Sequence, residues 1–282
     1  MKTTTQANLY ALGAVALWAS LATLGVALSH VPAFALTGLA LIIGSVPTWA
    51  HWRQWRVSRG ALALGVYGLF GFHFLLFIAL RYAPPVQANL VNYLWPLFIV
   101  VLAPLLLPGL RLRPVHVIAA GLGFLGAGMA ILGGRTLDAA WAWGYLPALA
   151  SALVWATFSL GSRRMVQAGN GFPTAALGLF GLVSGLLALG CHVLLEPAMQ
   201  LSVRDGLLIA VMGLGPLGGA FLLWDRALKL GDPRTIGVLS YLTPLASTLL
   251  LIVVTGRAFT LWIGLAALLI VGAAVLAMRA RN

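Results

Sequence analysis

One stretch of the chain carries polar side chains at a spacing that could bind a small molecule. The positions i, i+3, i+4 and i+7, which share one face of a helix, are filled by Asn89, Asn92, Tyr93 and Pro96. Two amides within an apolar helix are costly unless other protein groups or water satisfy them. Proline also leaves a backbone carbonyl without its intrahelical donor. We expect this face to line a cavity, with hydrogen bonds to neighbouring helices as the alternative.

The same pattern recurs in the second half of the chain. The segment from Asn92 to Pro96 reads Asn-Tyr-Leu-Trp-Pro, and the segment from Ser240 to Pro244, 148 positions later, reads Ser-Tyr-Leu-Thr-Pro. In a membrane protein, paired and interrupted apolar segments are the best sequence indication of a transport site. We therefore expect Ser240 and Tyr241 to contact a substrate and the two prolines to act as hinges.

Three titratable side chains lie within apolar stretches: His73, Asp225 and His192. His73 is a candidate for substrate binding or proton transfer, and a hydrogen-bonded packing role is the alternative. Asp225 is a candidate for proton coupling or for binding an amine, because intramembrane charges usually have a function. It could instead pair with Arg226 or Lys229 near the end of its span. His192 has no polar neighbour in its stretch and is interpreted as structural.

The ten tryptophans of the chain divide into two groups by their depth in the apolar stretches. Those near the ends fit an interfacial belt. Four lie deeper and could stack on a flat or cationic ligand: Trp18, Trp95, Trp155 and Trp224. Ser159 follows Trp155 by one helical turn and adds a polar contact. An aromatic-lined pocket suits an aromatic or bulky apolar substrate.

The composition indicates that membrane-spanning helices position these residues. Hydrophobic residues make up 61% of the 282 residues and charged residues only 8%, which leaves too few polar groups to cover a water-soluble core. A helix needs about 20 apolar residues to cross the ~30 Å hydrocarbon layer. We predict an all-α membrane protein with ten transmembrane helices, over residues 8–29, 33–51, 60–80, 84–107, 114–133, 140–161, 172–195, 204–228, 233–254 and 260–279.

The basic charge of the chain reflects its topology. The net charge is +12, and ten spans place most Lys and Arg residues on the side that carries both termini. Only four fall on the other side: Arg81, Arg135, Arg204 and Arg257. The positive-inside rule then predicts cytoplasmic termini. The basic pI therefore does not indicate nucleic-acid binding.

The internal duplication determines how the two halves relate. Each half holds five spans, an odd number, so the halves must enter the membrane from opposite sides. We predict two inverted five-helix repeats, residues 1–137 and 138–282. An inverted repeat places a site near the midplane that can open to either side. The pattern indicates a carrier that works by alternating access, and not an enzyme.

Sequence signals for bound cofactors are weak. The run from Gly121 to Gly126 fits G-x-G-x-x-G, but no strand precedes it, so close helix packing is the better interpretation. Cys191 is the single cysteine and supports neither a disulfide nor a metal cluster. We expect no cofactor, no metal, no catalytic residue and no obligatory protein partner. The expected partners are a small-molecule substrate and the lipid bilayer.

Together these features resemble the EamA-type drug/metabolite transporter superfamily, over essentially the whole chain. The features are the ten spans, the tryptophans of spans 1 and 6 and the proline-broken spans 4 and 9. Within it, the two five-residue segments, with Trp224 ahead of the second, look most like those of the aromatic amino acid exporters. The resemblance implies efflux of aromatic and other apolar amino acids across the bacterial cytoplasmic (inner) membrane. It also implies a central cavity lined by spans 1, 3, 4, 6, 8 and 9.

One residue departs from the resemblance. Asp225 stands where an asparagine is expected in these exporters, so the resemblance does not support a coupling role for it. A carrier of the same superfamily for other small metabolites or drugs is the nearest alternative. A channel would need a continuous polar path, and an intramembrane enzyme would need His73 and Asp225 as its catalytic pair.

Overall fold

A computed structural model describes residues 2–133, 141–256 and 259–280 of the chain. The predicted boundary between the repeats, at 137/138, lies outside the described residues, and so do Arg135 and Arg257. Within the described ranges the protein is helical and contains ten helices that are long and apolar enough to cross a membrane. The predicted all-α membrane fold with ten spans is confirmed.

The spans are numbered in chain order and contain few charged residues. Their bounds are Thr3–Ala27, Ala33–Trp55, Arg59–Tyr82, Pro85–Leu106, Pro114–Leu132, Tyr145–Gln167, Ala176–Leu195, Val203–Leu230, Pro233–Val254 and Leu261–Arg279. Because ten is even, the start of span 1 and the end of span 10 lie on one side, which is called the terminal side below. The other is called the opposite side.

Three of the predicted span limits were wrong by about five residues; one of them is the start of span 6, at Tyr145 instead of residue 140. Span 1 begins at Thr3 instead of residue 8, and span 6 runs to Gln167 instead of residue 161. In these last two cases polar residues continue the helix past the apolar stretch; in span 6 these include Arg163 and Arg164. Hydrophobicity marks the part of a helix inside the hydrocarbon layer, whereas the backbone hydrogen bonds continue beyond it.

Spans 4 and 9 are interrupted at the matched positions that the prolines indicated. In span 4 the helix Pro85–Asn92 ends and Trp95–Leu106 begins. In span 9 the helix Pro233–Leu239 ends and Leu242–Thr255 begins. A proline lacks the N–H that would bond to the carbonyl four residues earlier, and each break lies within that interval. The predicted pair of broken spans is confirmed.

A second matched pair of irregularities was not predicted from the sequence. Span 3 consists of Arg59–Val66, a π-helical turn over Tyr67–Gly71, and Phe72–Tyr82. Span 8 likewise contains a π-helical turn, over Gly215–Gly219. The two turns lie 148 positions apart, the same offset as the two breaks. Such turns are rare and concentrate at functional sites.

The contacts between spans are the same in the two halves. Each span has a counterpart five places along the chain, and the counterparts make the equivalent contacts. Span 1 packs on spans 8 and 9, and span 6 packs on spans 3 and 4. Spans 2 and 7, spans 4 and 9, and spans 5 and 10 pack on one another. This is the pattern that a two-fold relation between two halves of five spans would produce. It brings spans 1, 3, 4, 6, 8 and 9 together around the centre.

Glycines allow span 2 to approach the π-helical turn of span 8. A Cβ atom on Gly44 would lie 2.6 Å from the carbonyl oxygen of Gly213 and 3.0 Å from the Cα atom of Gly218. Small residues permit such backbone contact between helices in a membrane. The backbone of span 2 therefore packs directly against the irregular turn.

Candidate functional site

Four tryptophans from four different spans converge at the centre of the protein. Trp18, Trp95, Trp155 and Trp224 are all buried, with exposed fractions of 2–7%. Five of their ring pairs have centroids 5.3–6.3 Å apart in tilted or edge-to-face orientations. Aromatic pairs favour these geometries. The four deep tryptophans singled out in the sequence thus form one group, called the tryptophan cluster below.

Hydrogen bonds fix two of these indoles. Trp18 donates from Nε1 to the carbonyl oxygen of Pro216, at 3.0 Å. That carbonyl lies in the π-helical turn of span 8. Trp224 donates from Nε1 to the hydroxyl of Ser159, at 3.1 Å. Buried indole N–H groups usually need such a partner, so these two bonds set the orientation of the rings.

Span 6 presents one column of inward-facing residues to its neighbours. Ser151 donates to Asn92 Oδ1 of span 4 at 2.8 Å. One turn further, Trp155 joins the tryptophan cluster, and Ser159 accepts the indole hydrogen bond from span 8. Ser162, one turn beyond, donates to Asp225 Oδ1 at 3.1 Å. A spacing of three to four residues keeps the column on one helical face, which connects spans 4 and 8 through span 6.

His73 lies beside the cluster within a shell of aromatic rings. Its ring centroid is 5.0 Å from that of Phe72 and 6.5 Å from that of Phe221. Its Nδ1 is 2.7 Å from the carbonyl oxygen of Leu69, in the π-helical turn of span 3. A carbonyl only accepts hydrogen bonds, so Nδ1 carries the hydrogen and Nε2 is the nitrogen able to accept one. Phe221 occupies the position equivalent to His73 in the second half.

The centre is closed in this conformation. The space between the tryptophan cluster and the terminal side is lined by Trp155, Ser159, Trp224, Asp225 and Phe158, among others. It has room for about one water molecule. An amino acid is much larger, so the aromatic side chains must separate before a small organic ligand can enter.

Asp225 is buried at the terminal end of this space, where it is surrounded by donors. Its Oδ2 accepts from the hydroxyl of Thr174 at 2.6 Å and lies 2.6 Å from Nζ of Lys229. Lys229 also donates to the carbonyl oxygen of Phe172 at 2.7 Å. Of the two basic neighbours considered from the sequence, Lys229 is the one that pairs with Asp225.

Several residues expected at the site lie at its edge or outside it. Tyr241 is fully buried, but its ring packs on Gly123 and Phe124 of span 5, away from the tryptophan cluster. Ser240 is buried and donates to a carbonyl oxygen of its own helix at 2.6 Å. Asn89 and Tyr93 are half-buried near the break of span 4, and Pro96 and Pro244 each follow a break.

The interpretation of His192 as a residue without a polar neighbour was wrong. Its Nδ1 lies 3.0 Å from a carboxylate oxygen of Glu196. That carboxylate also accepts from the backbone N–H groups of Phe34 and Ala35, at the start of span 2. The partner lies one turn away, in the loop after span 7, which explains why the apolar stretch gave no sign of it.

Another ion pair, between Asp232 and Arg234, connects the loop between spans 8 and 9 to the start of span 9 on the terminal side. Both carboxylate oxygens of Asp232 accept from the nearly fully buried guanidinium of Arg234, at 2.5–3.1 Å. Burial opposes the ionisation of Asp232, but the hydrogen bonds from Arg234 outweigh it and hold the pKa of this carboxyl below its usual range. Arg234 also donates to the carbonyl oxygen of Arg111, which ties span 9 to the loop after span 4.

Comparison with known proteins places the chain among transporters. The EamA-like transporter family matches it over residues 5–132 and 142–279. The aromatic amino acid exporter YddG of Ancylobacter novellus is 38% identical over an alignment of 295 positions that covers 96% of each chain. One protein of known crystal structure is 39% identical, with a TM-score of 0.90 over 97% of this chain and 96% of its own. Sequence and fold agree over nearly the full length, and the chain belongs to the EamA-like transporter family.

Proposed function

We propose that the protein exports aromatic and other apolar amino acids across the bacterial cytoplasmic membrane. The convergence of four tryptophans between the broken spans carries this proposal. Indole surfaces suit aromatic and apolar side chains, through stacking and burial of apolar area. The name of the Ancylobacter novellus relative, at 38% identity, agrees with it.

The tryptophan cluster provides the binding surface in this proposal, and His73 adds a polar contact beside it. Asn92 and Ser159 already bond to neighbouring spans, so they would bind substrate only by exchanging those partners. Asn89, Tyr93, Ser240 and Tyr241 would act at the edge of the cavity, where span 4 or span 9 bends. These assignments follow from the positions of the side chains in the closed conformation.

The two halves would move relative to each other by bending at the matched breaks of spans 4 and 9. The repeats, residues 1–137 and 138–282, would rock about the centre, with bending at Pro96 and Pro244. The symmetric packing of the spans and the two family matches support this division. Alternating access around a midplane site is the usual consequence of an inverted repeat. Transport would then saturate with substrate, unlike flow through a channel.

Exchange in reconstituted vesicles tests the substrate assignment. Vesicles containing purified protein are loaded with labelled phenylalanine, tryptophan, threonine or methionine, and efflux is measured with and without external unlabelled amino acid. We expect saturable, trans-stimulated efflux that is fastest for the aromatic pair. If all four amino acids fail to exchange, the assignment is wrong. Exchange of another metabolite or drug would instead support the alternative, that this protein carries other small molecules.

Matched tryptophan variants test the role of the cluster. Trp155→Leu removes a ring at the centre, whereas Trp143→Leu removes one that is 73% exposed at the opposite side. Loss of an aromatic contact costs about 0.5–1.5 kcal/mol, so KM for tryptophan should rise roughly 2- to 10-fold in Trp155→Leu. Trp143→Leu should leave KM unchanged. Equal effects would argue against a binding role for the cluster.

Two further measurements test orientation and coupling. In a Cys191→Ser background, cysteine at position 52 should react with a membrane-impermeant reagent only in inside-out vesicles, and cysteine at position 143 only in intact cells. That result would establish cytoplasmic termini. Proton coupling is assigned to His73 or Asp225. An imposed pH gradient should drive amino acid accumulation in wild-type vesicles, and the response should be lost in His73→Phe or Asp225→Asn.

A further inference from the structure

The ion pair between Asp225 and Lys229 lies next to the tryptophan cluster. Its burial costs free energy of desolvation, and its carboxylate has several hydrogen-bond partners. The carboxylate of Asp225 is only 4% exposed, and it is within hydrogen-bond distance of Ser162, Thr174 and Lys229. A buried charge in a membrane protein is expensive, and a buried ion pair usually stabilises a fold no better than apolar side chains of similar size. Its presence therefore indicates a role other than stability.

The first half of the chain shows that the scaffold does not need this ion pair. Phe77 occupies the position equivalent to Asp225, at the offset of 148 residues. Its ring packs on Phe34 of span 2, with the centroids 5.3 Å apart in an edge-to-face orientation. On the opposite side an aromatic ring thus takes the place of the Asp225 carboxylate, and Arg81, the residue equivalent to Lys229, is exposed and lies beside no carboxylate at the equivalent position.

The two charges are placed to act together. Asp225 and Lys229 are four residues apart in the helix Ala220–Leu230 and lie on one face. Asp225 lines the same small space as the indole of Trp224 and the ring of Trp155. Lys229 lies one turn closer to the terminal side, where its ammonium is 4.4 Å from the ring centroid of Phe172. An aromatic surface is therefore followed by a carboxylate and then by an ammonium group.

We propose that Asp225 and Lys229 bind the two charged groups of a zwitterionic amino acid, an inference that rests on the proposed function. The α-ammonium group of the substrate takes the place of the Lys229 ammonium on Asp225, and Lys229 binds the α-carboxylate. The side chain of the substrate lies between Trp155 and Trp224. Every charge stays paired in the exchange, which offsets the cost of removing a zwitterion from water.

Competition by analogues that carry one charge each tests the proposal. Exchange of labelled phenylalanine is measured against unlabelled phenylalanine, phenethylamine, which has only the ammonium group, and 3-phenylpropionate, which has only the carboxylate. Asp225→Asn should weaken inhibition by phenylalanine and phenethylamine by roughly tenfold or more. It should not weaken inhibition by 3-phenylpropionate, because Lys229 keeps its charge and loses the carboxylate that competes for it. Lys229→Gln should weaken inhibition by phenylalanine and 3-phenylpropionate. It should not weaken inhibition by phenethylamine, because the carboxylate of Asp225 remains and no longer has a competing ammonium group.

Two control variants separate binding from structure. The double variant Asp225→Asn/Lys229→Gln leaves no unpaired charge, so it stays folded even where a single change does not; it should bind phenylalanine no better than either analogue. Arg226→Gln removes an exposed positive charge from the same helix and should change nothing. Gel filtration and thermal unfolding of each purified variant check that it is folded.

The outcomes distinguish this inference from the proposed function. If the variants weaken all three compounds by the same factor, or none of them, the pair has a structural role only and the inference is overturned while amino acid export stands. If wild-type vesicles exchange no amino acid, the proposed function fails and the inference fails with it.

Discussion

Replacement of Gly44 by alanine tests whether direct backbone packing of span 2 holds the π-helical turn of span 8. The added Cβ would lie 2.6 Å from the carbonyl oxygen of Gly213 and 3.0 Å from both the Cα atom of Gly218 and the carbonyl oxygen of Leu217. All three are backbone atoms, so no side chain can rotate away. Either span 2 or the turn must move by several tenths of an ångström.

The expected cost follows from two opposing effects. Alanine favours a helix over glycine by about 1 kcal/mol, but inserting a methyl group into a packed contact costs about 1–3 kcal/mol, and more where the backbone must move. Because the backbone must move here, we take the upper end of that range, which leaves a net cost of about 2 kcal/mol. At roughly 2–4 °C per kcal/mol for chains of similar size, Gly44→Ala should lower the melting temperature in detergent by about 4–8 °C.

A control on another helix isolates the close contact. Gly272 lies within Leu261–Arg279, and a Cβ there would meet no atom within 4 Å. Gly272→Ala should therefore leave the melting temperature unchanged or raise it slightly. Gly213→Ala, whose Cβ would lie 2.6 Å from the carbonyl oxygen of Ala40, should behave like Gly44→Ala. If both buried variants melt at the temperature of Gly272→Ala, the close approach of the two spans is not what holds the turn.

Three further changes probe individual bonds. Trp224→Phe removes the donor to Ser159 and should cost about 1 kcal/mol of stability; adding Ser159→Ala should cost little more, and simple additivity in this double-mutant cycle would contradict the bond. Ser151→Ala leaves the buried oxygen of Asn92 without its serine donor and should lower the melting temperature, whereas a matching Asn92→Leu should recover part of the loss. Asp232→Asn should destabilise the protein at pH 7, because a lowered carboxyl pKa adds stability that is present above about pH 4 and is lost as pH falls. Melting curves from pH 7 to pH 3 should converge with wild type at the acidic end, and a constant difference would refute the assignment.

The spans and their breaks could be predicted because each depends on a local property. Apolar stretches of about 20 residues identify a span without knowledge of its neighbours. The breaks before Pro96 and Pro244 follow from the missing proline N–H. The four deep tryptophans were recognised by depth alone, and depth in a span is also a property of the local sequence.

The faces of the broken spans could not be predicted in the same way. The argument that placed Tyr241 with Ser240 on one inward face assumes an unbroken helix, with a constant turn per residue. The helix ends before these residues and restarts at Leu242, which changes the direction in which their side chains point. Tyr241 consequently packs on span 5.

The π-helical turns and the partners of Asp225 needed three-dimensional information. A comparison of the two halves could have indicated an irregular backbone at Gly71 and Gly219, which are equivalent at the offset of 148 residues. Neither segment carries a sequence signal for a π-helical turn, because the wider backbone of such a turn depends on packing against other spans. Thr174 and Phe172 contact Asp225 and Lys229 from the loop after span 6, and no periodicity relates a loop to a helix.

The difference between the halves determines how the two sides of the membrane can differ in substrate affinity. An inverted repeat makes the two ends of the transport path alike in backbone geometry, so a functional difference between them must come from side chains. The terminal end has Asp225 with Lys229, and the opposite end has Phe77 packed on Phe34. The electrochemical gradients of the substrate and of any coupled proton determine the equilibrium direction of flux, but the affinity at each face can differ. We therefore expect a lower KM for phenylalanine at the terminal side than at the opposite side, measured in vesicles of defined orientation. The Asp225→Asn/Lys229→Gln variant should make the two values equal, and a difference that survives in this variant would show that the charged pair is not its source.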